Sequence, residues 1–276
     1  MTMKLRSITN YSKKNFNMKS KKIEIKKFFD SLAVDRNKKI SSHPIILYEQ
    51  EMRGMTAIKL LEVNKGDKVL DIGCGNARDL INIANAGGRV FGVDISKEMI
   101  IQARKDLDLA GNYGKRVFFS IGDVCSLDFP DSYFDKVLCS EVIEHVIDIK
   151  KALNEIHRVL KPGGSFVLTT PNKNSWYGFE RRFFWEGLLG KKWPHPLDNW
   201  QSVSEISYLI NKAGFNIYEK RTVCFIPGFM ITYFLMPNII QILTVRFVSF
   251  LESTLQFFLK SFGYTICIKS ICVKNV

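Results

Sequence analysis

Short apolar runs alternate with amphipathic segments along most of the chain. Polar, glycine or proline positions bound each run, as expected of strands that a parallel sheet buries on both faces. The runs lie at 69–72, 90–93, 117–121, 136–139, 165–170, 215–225 and 264–273. Because strands that alternate with helices form parallel sheets, this pattern predicts an α/β fold, doubly wound, with a mainly parallel, seven-stranded, Rossmann-like sheet.

Helix signals fill the intervals between these runs. Gly87 and Gly88 can end one helix, Ser96 can cap the next, and Ser202 with Glu205 forms a capping box. Helices are therefore expected at 45–62, before Gly87, after Ser96, at 150–160 and from 202 to Gly214.

An apolar insert, residues 226–262, separates the last two predicted strands. Residues 222–245 carry no charge, a length that would suit a membrane span, but Pro227, Gly228 and Pro237 interrupt it. The second half is amphipathic, with a polar stripe formed by Arg246, Ser249, Ser253, Gln256 and Lys260. We expect helices whose apolar face covers the core as a lid, contacts a second subunit or rests on a membrane. That face includes Phe247, Phe250, Leu251, Leu255, Phe258 and Leu259.

Positive charge is concentrated near the N-terminus. The 276-residue chain has a net charge of +13, of which residues 1–40 contribute +9. A basic arm (1–40) attached to a nearly neutral domain (41–276) suggests contact with anionic lipid or nucleic acid, and a solvated tail is the alternative. With 46% hydrophobic residues, the rest of the chain can build one large core.

The cysteines indicate a reducing compartment. The six cysteines show no CxxC spacing, and several lie in predicted strands, where thiols are usually buried. The N-terminal residues lack the apolar segment of a secretory signal. The expectation is a cytoplasmic protein, which becomes peripheral on a membrane if the arm and the insert both contact lipid.

Polar motifs follow three consecutive strands, at the edge where α/β sheets bind ligands. Gly73-Cys74-Gly75 supplies a tight turn, but Arg78 stands where a dinucleotide fingerprint has its third glycine, which disfavours a pyrophosphate. Asp94 ends the second strand and can accept both ribose hydroxyls of a nucleoside. Asp123 follows the third strand and can accept the adenine amino group. The pattern predicts a nucleoside site.

These motifs resemble those of the class I methyltransferases that depend on S-adenosylmethionine (SAM). The runs VLDIGCGNARDL, FGVDIS, IGDV, SEVIEHV and RVLKPGGSFVLTTPN carry the resemblance along residues 45–222. Within that family the chain is similar to the ubiquinone-biosynthesis O-methyltransferases, which have an arginine twenty residues before the first glycine, where Arg53 stands. Ala77 replaces the third glycine of the usual GxGxG. The resemblance implies SAM contacts at Arg53, Gly73, Asp94 and Ser140. The further candidates for cofactor binding are Asp71, Cys74, Gly75, Ile95, Met99, Asp123 and Val124.

The run after the fourth strand offers candidate catalytic groups. If it turns helical, Glu141, Glu144 and His145 share one face, where they could bind a divalent ion. The ubiquinone-type enzymes carry a similar run, and the resemblance implies Mg²⁺ there, with His195 as a fourth ligand or as an ordinary loop histidine. The alternative is a reaction without metal, in which His145 is the general base.

The predicted function is methyl transfer from SAM to a hydroxyl of a small-molecule or lipid-like acceptor. The aromatic segment 176–200, the apolar insert and the ubiquinone-type resemblance favour this interpretation. An RNA 2′-O-methyltransferase is the alternative, favoured by the basic arm, although no RNA-binding module is recognisable. A non-catalytic SAM-binding protein is a third. The oligomeric state stays open.

Overall fold

One seven-stranded sheet forms the centre of the protein, in a computed structural model that describes residues 17–33, 43–111, 113, 116–190, 195–225 and 237–274. The strands are β1 (Lys68–Ile72), β2 (Arg89–Asp94), β3 (Val117–Ile121), β4 (Phe134–Ser140), β5 (Leu160–Pro171), β6 (Phe215–Val223) and β7 (Thr265–Cys272). Their order is β3-β2-β1-β4-β5-β7-β6, and β7 alone runs opposite to the other six strands. The predicted fold class is confirmed.

Helices cover both faces of the sheet. They are α1 (17–33), α2 (Pro44–Leu61), α3 (Arg78–Asn85), α4 (Lys97–Ala110), α5 (Ile149–Val159), α6 (Trp176–Glu180), α7 (Val203–Lys212) and α8 (Asn238–Phe258). A 3-10 turn spans Ile143–His145, and a π-helical segment spans Arg181–Leu188. Two predicted caps are present: Ser96 Oγ accepts from Met99 N at 3.1 Å, and Ser202 Oγ accepts from Glu205 N at 3.2 Å.

Alternate residues of each central strand pack into different layers. Leu70 and Ile72 of β1 belong to the cluster on one face of the sheet, and Val69 belongs to the cluster on the other. Burial on both faces explains why these strands are continuous apolar runs in the sequence. All six cysteines are buried and free of disulfides, as expected.

The sheet changes winding direction between β1 and β4. From β1 the chain proceeds outward through β2 and β3, and it then returns to place β4 on the other side of β1. Such a switch point leaves a crevice beyond the carboxyl ends of the strands. The polar motifs of the sequence converge on this crevice.

A buried carboxylate fixes α8 against the body. Glu252 accepts hydrogen bonds from Tyr48 Oη at 3.0 Å and from Cys224 N at 2.8 Å. The predicted helical insert is therefore present, at least in its second half, since residues 226–236 lie outside the described part of the chain. The prediction that the apolar face of the insert covers the core is wrong for Phe247 and Phe250, because both side chains are exposed. Among the described residues, no helix is long and apolar enough to cross a membrane.

We expect Glu252→Ala to destabilise the protein by about 3 kcal/mol, because it leaves a buried amide and a buried hydroxyl without their acceptor. Tyr48→Phe removes only one donor and should reduce the free energy of unfolding by about 1 kcal/mol. Urea denaturation of both variants and of their combination measures the coupling. If both single variants lost the same small amount of unfolding free energy, Glu252 would not be the anchor of α8.

Candidate functional site

A cavity of about 430 Å³ occupies the crevice at the carboxyl ends of β1 to β4. Leu47, Gln50 and Arg53 of α2 form one wall, and Ile25 and Phe29 of α1 lie across it. The cavity is therefore bounded by the strand ends on one side and by two N-terminal helices on the other.

The glycine turn after β1 brings main chain to the cavity surface. Gly73 and Gly75 have φ of +65° and +50°, in the left-handed region that favours glycine. Gly73 N donates to Val93 O at 2.7 Å, which ties the turn to β2. A Cβ on Gly73 would lie 2.2 Å from Val142 Cγ2, whereas one on Gly75 would meet nothing closer than 3.9 Å. Gly75 thus leaves its backbone open to a ligand.

Gly73→Ala should therefore impair both folding and ligand binding. The new methyl group meets Val142 in a backbone conformation that L residues rarely adopt, and the two effects together cost about 2–5 kcal/mol. Gly163→Ala is a matched control, since Gly163 has φ +73° but no atom within 4 Å of its added Cβ. Thermal unfolding of both variants separates the clash from the strain. If Gly73→Ala were no less stable to heat than Gly163→Ala, the close contact between Gly73 and Val142 would be refuted.

The carboxylate of Asp94 is held in a fixed orientation at the end of β2. Its Oδ2 accepts from Gly75 N at 3.0 Å, and its Oδ1 accepts from Ser96 N at 2.8 Å. Asp94 lines the cavity although little of it is exposed. Because two backbone donors orient this carboxylate, it can receive ligand hydroxyls without reorganising.

A chain of buried hydrogen bonds connects α2 to the end of β4. Arg53 donates through Nε to Glu49 at 3.1 Å and through Nη1 to Ser140 Oγ at 2.6 Å. Ser140 contacts Thr169, whose hydroxyl donates to Glu141 at 3.1 Å. Burial lowers the pKa of Arg53, but Glu49 and Glu141 outweigh that effect and raise it. The guanidinium stays charged beside the cavity.

His145 presents one defined nitrogen for chemistry. Its Nδ1–H donates to Leu197 O at 2.7 Å, so in the neutral ring Nε2 carries the lone pair. The ring stacks on His195 at 5.1 Å between centroids and meets Phe29 edge-on at 5.2 Å. Asp198 follows Leu197 and is held by Arg181 at 2.8 Å. A neutral imidazole in this setting can accept a proton at Nε2.

Helix α1, which we assigned to the basic arm, closes over the crevice. Lys22 forms an ion pair with Asp123, and Asp30 accepts from Ser96 Oγ at 2.6 Å. Burial raises the pKa of Asp123, but the bond from Lys22 outweighs it and lowers the pKa. Residues 1–16 and 34–40 of the arm lie outside the described part of the chain.

A model of the methyltransferase-domain family matches residues 63–205, more than half of the chain. The chain belongs to this family. With its fold and motifs, it is a class I SAM-dependent methyltransferase that resembles the methyltransferases of quinone biosynthesis.

Individual relatives agree with this assignment. The demethylmenaquinone methyltransferase of Symbiobacterium thermophilum is 31% identical over 173 residues, which are 54% of this chain and 68% of that enzyme. The 27-O-demethylrifamycin SV methyltransferase of Amycolatopsis mediterranei is 36% identical over 110 residues, 40% of each chain. In structure, a SAM-dependent methyltransferase from Thermotoga maritima has a TM-score of 0.60 at 20% identity, covering 90% of this chain and 99% of its own. At that identity the structural likeness shows the fold alone.

Most residues predicted for the methyltransferase site line the cavity. Those at its surface are Arg53, Gly73, Cys74, Gly75, Asp94, Ile95, Met99, Asp123, Val124, Ser140, Glu141 and His145. Two predicted residues are not among the cavity-lining set. Asp71 is only 2% exposed, and burial, with help from Asp79 and Asp94, raises its pKa well above the usual range. Glu144 is buried beside the cavity, where its carboxylate accepts from Thr170 Oγ1 at 3.1 Å.

The sequence prediction missed several residues that reach the cavity from helices. Lys22, Phe29 and Arg78 all line it. Ile25, Phe29 and Ala33 recur at a spacing of four in a lysine-rich segment, a helical stripe that the charge count obscured. That stripe is the signal that could have revealed the α1 contact.

The three predicted metal ligands do not share one face, although Glu144 Oε1 lies 3.8 Å from His145 Nε2. Glu141 has φ +56° and precedes the 3-10 turn, so Glu141, Glu144 and His145 do not lie on one helical face. Among the described residues, the one group of three potential ligand atoms within 4.8 Å of one another is His145, His195 and Asp198. Burial, reinforced by Glu144, raises the pKa of Glu141, and burial raises that of Glu144 to about 8. Within the described residues, the geometry favours His145, His195 and Asp198 over the predicted trio as a candidate ligand set.

Proposed function

We propose that this enzyme methylates a hydroxyl of a small, lipid-like acceptor, with His145 as the general base. The observation that carries the proposal is the hydrogen bond from His145 Nδ1 to Leu197 O, which leaves Nε2 as the proton acceptor in a wall of the cavity. We assign the reaction to the domain of residues 41–276, with α1 as a cover over the site.

The described cavity residues suit the parts of SAM. Asp94 would accept the two ribose hydroxyls, as a carboxylate does at the end of the second strand of nucleotide-binding folds. Ile95, Met99 and Val124 provide apolar surface for the adenine ring. Burial lowers the pKa of Arg78, and the nearby charge of Arg53 lowers it further. Both guanidinium groups line the cavity and would bind the methionine carboxylate.

SAM supplies a methyl group on a sulfonium, which is a good leaving group. The chain has to hold the acceptor oxygen in line with that methyl group and remove the hydroxyl proton. Nε2 of His145 would take the proton as the oxygen attacks, and the Leu197 carbonyl would stabilise the imidazolium that results. Side chains of α1 and α2 line the cavity in which this step would take place.

The name of one relative supports a lipid-like acceptor, the name of another supports a hydroxyl, and the surface near His145 is apolar. One relative is named for a menaquinone precursor and another for a 27-O-demethyl compound. Trp176, Phe179 and Phe183 are exposed on the segment that Arg181 ties to Asp198. We further propose that the enzyme acts in a reducing compartment at a membrane surface, in keeping with its free buried thiols and basic charge.

The acceptor class can be tested with tritiated SAM and cell extract. We expect the label to enter solvent-extractable material and to resist nuclease. Nuclease-sensitive label would instead favour the RNA 2′-O-methyltransferase alternative. Tight SAM binding without transfer to any fraction would favour a non-catalytic SAM-binding protein.

A further inference from the structure

Helix α8 exposes most of its large apolar side chains and buries two polar ones. Gln241 and Glu252 face the body, while Phe250 is 81% and Phe258 75% exposed. We define the outer face of α8 as its exposed large apolar side chains, namely Ile239, Ile240, Ile242, Leu243, Phe247, Phe250, Phe257 and Phe258. An apolar surface of this kind on a folded protein marks an interaction site.

The orientation of α8 is held by specific bonds. A rotation that buried the aromatic rings would pull Glu252 away from Tyr48 Oη and Cys224 N, which are both buried donors. Val248 packs on the same side, in a small cluster with Ile45 and Cys224. The outward position of the rings therefore follows from the packing of the opposite face.

The exposed charges of the insert are all positive. Its ionisable residues of either sign are Arg246, Glu252 and Lys260. The carboxylate is buried, whereas Arg246 and Lys260 are exposed, with Lys260 Nζ 5.6 Å from the Phe257 ring centroid. An apolar face on a segment whose own exposed charges are both cations is complementary to anionic lipid headgroups above acyl chains. If two copies of the chain packed their outer faces together, the cations of one copy would instead meet those of the other.

Helix α8 is joined to the cavity wall through α2. Tyr48 donates to Glu252 on the buried side of α8, and its neighbour Leu47 lines the cavity. A membrane bound to the outer face would therefore lie on the far side of α8 and α2 from the cavity.

We propose that the outer face of α8 binds the surface of an anionic bilayer, with its aromatic rings among the upper acyl chains. The docking surface itself is defined by exposure and charge, and only its link to a lipid-like acceptor rests on the proposed function. The helix lies along the membrane without crossing it.

Co-sedimentation of the full chain with vesicles tests the proposal. The chain should bind vesicles of phosphatidylcholine with phosphatidylglycerol more strongly than vesicles of phosphatidylcholine alone. Phe247→Ser combined with Phe250→Ser should lower partitioning about tenfold or more, because two buried rings are lost from the lipid. Arg246→Gln combined with Lys260→Gln should reduce only the preference for the anionic vesicles.

Matched controls exist elsewhere on the surface. Tyr218 is 74% and Leu109 87% exposed outside α8, so Tyr218→Ser combined with Leu109→Ser should leave vesicle binding unchanged. Equal loss in this control, or no vesicle binding by the unmodified chain, would overturn the proposal. A dimer that dissociates only in the double phenylalanine variant would show a second copy as the occupant. Binding is measured without SAM, so its failure is distinct from a failure of methyl transfer.

Discussion

Replacing Asp94 with asparagine is expected to weaken SAM binding by about a hundredfold or more. The carboxylate would accept two ribose hydroxyls, and hydrogen bonds to a charged group contribute about 1.5–3 kcal/mol each. An asparagine retains one acceptor oxygen, and its amide NH₂ would face the N–H of Gly75 or Ser96, which both now donate to Asp94. Calorimetry with SAM and with S-adenosylhomocysteine measures the loss.

The matched control for this change is Asp108→Asn. Asp108 is exposed on α4 and does not line the cavity, so its variant should bind SAM normally. Thermal unfolding without ligand shows whether Asp94→Asn also loosens the glycine turn. Unchanged affinity in a folded Asp94→Asn protein would mean that the crevice is not the SAM site.

Replacing His145 with asparagine should reduce kcat by about 10²–10⁴-fold while SAM affinity stays within a few-fold, since general-base catalysis typically contributes that much. The asparagine amide nitrogen takes the place of Nδ1 and can still donate to Leu197 O, so the loss reports the missing proton acceptor and not a missing hydrogen bond. The activity of the variant should rise as pH approaches the pKa of the acceptor hydroxyl, because an ionised oxygen needs no base. Tritium transfer to the extracted acceptor measures both effects.

Two comparisons make this result specific. His157→Gln keeps a donor for Val273 O on the far side of α5 and should have normal activity. Activity should also persist in EDTA. A loss in EDTA that added metal restores would assign His145, His195 and Asp198 to a metal centre and would exclude the role of His145 as a free base.

The strand ends and their ligand groups could be predicted because their signals are local. Each buried strand is a continuous apolar run, and the residue that follows it in sequence lies at the carboxyl edge of the sheet. Asp94 and the Gly73 turn therefore reached the cavity as predicted. Asp71 did not, because the side chains of a strand alternate between faces and the sequence alone did not say which face adjoined the cavity.

The predicted helical face of Glu141, Glu144 and His145 was wrong for a related reason. It assumed an α-helix after β4, whereas the backbone at Glu141 adopts a left-handed conformation and only a 3-10 turn follows. A change of one residue's φ rotates every side chain after it. Spacing in the sequence therefore gave the right residues and the wrong relation between them.

The amino-acid sequence by itself determined the order of strands and helices, the glycine turn and the family motifs, because these depend on residues within a few positions of one another. Only the tertiary structure decided that α1 covers the cavity and that α8 turns its aromatic rings outward. Those features depend on Lys22 meeting Asp123, 101 residues away, and on Tyr48 meeting Glu252, 204 residues away. Helical periodicity identifies the two faces of a helix, but the partner that a buried polar group finds across the fold decides which face meets solvent.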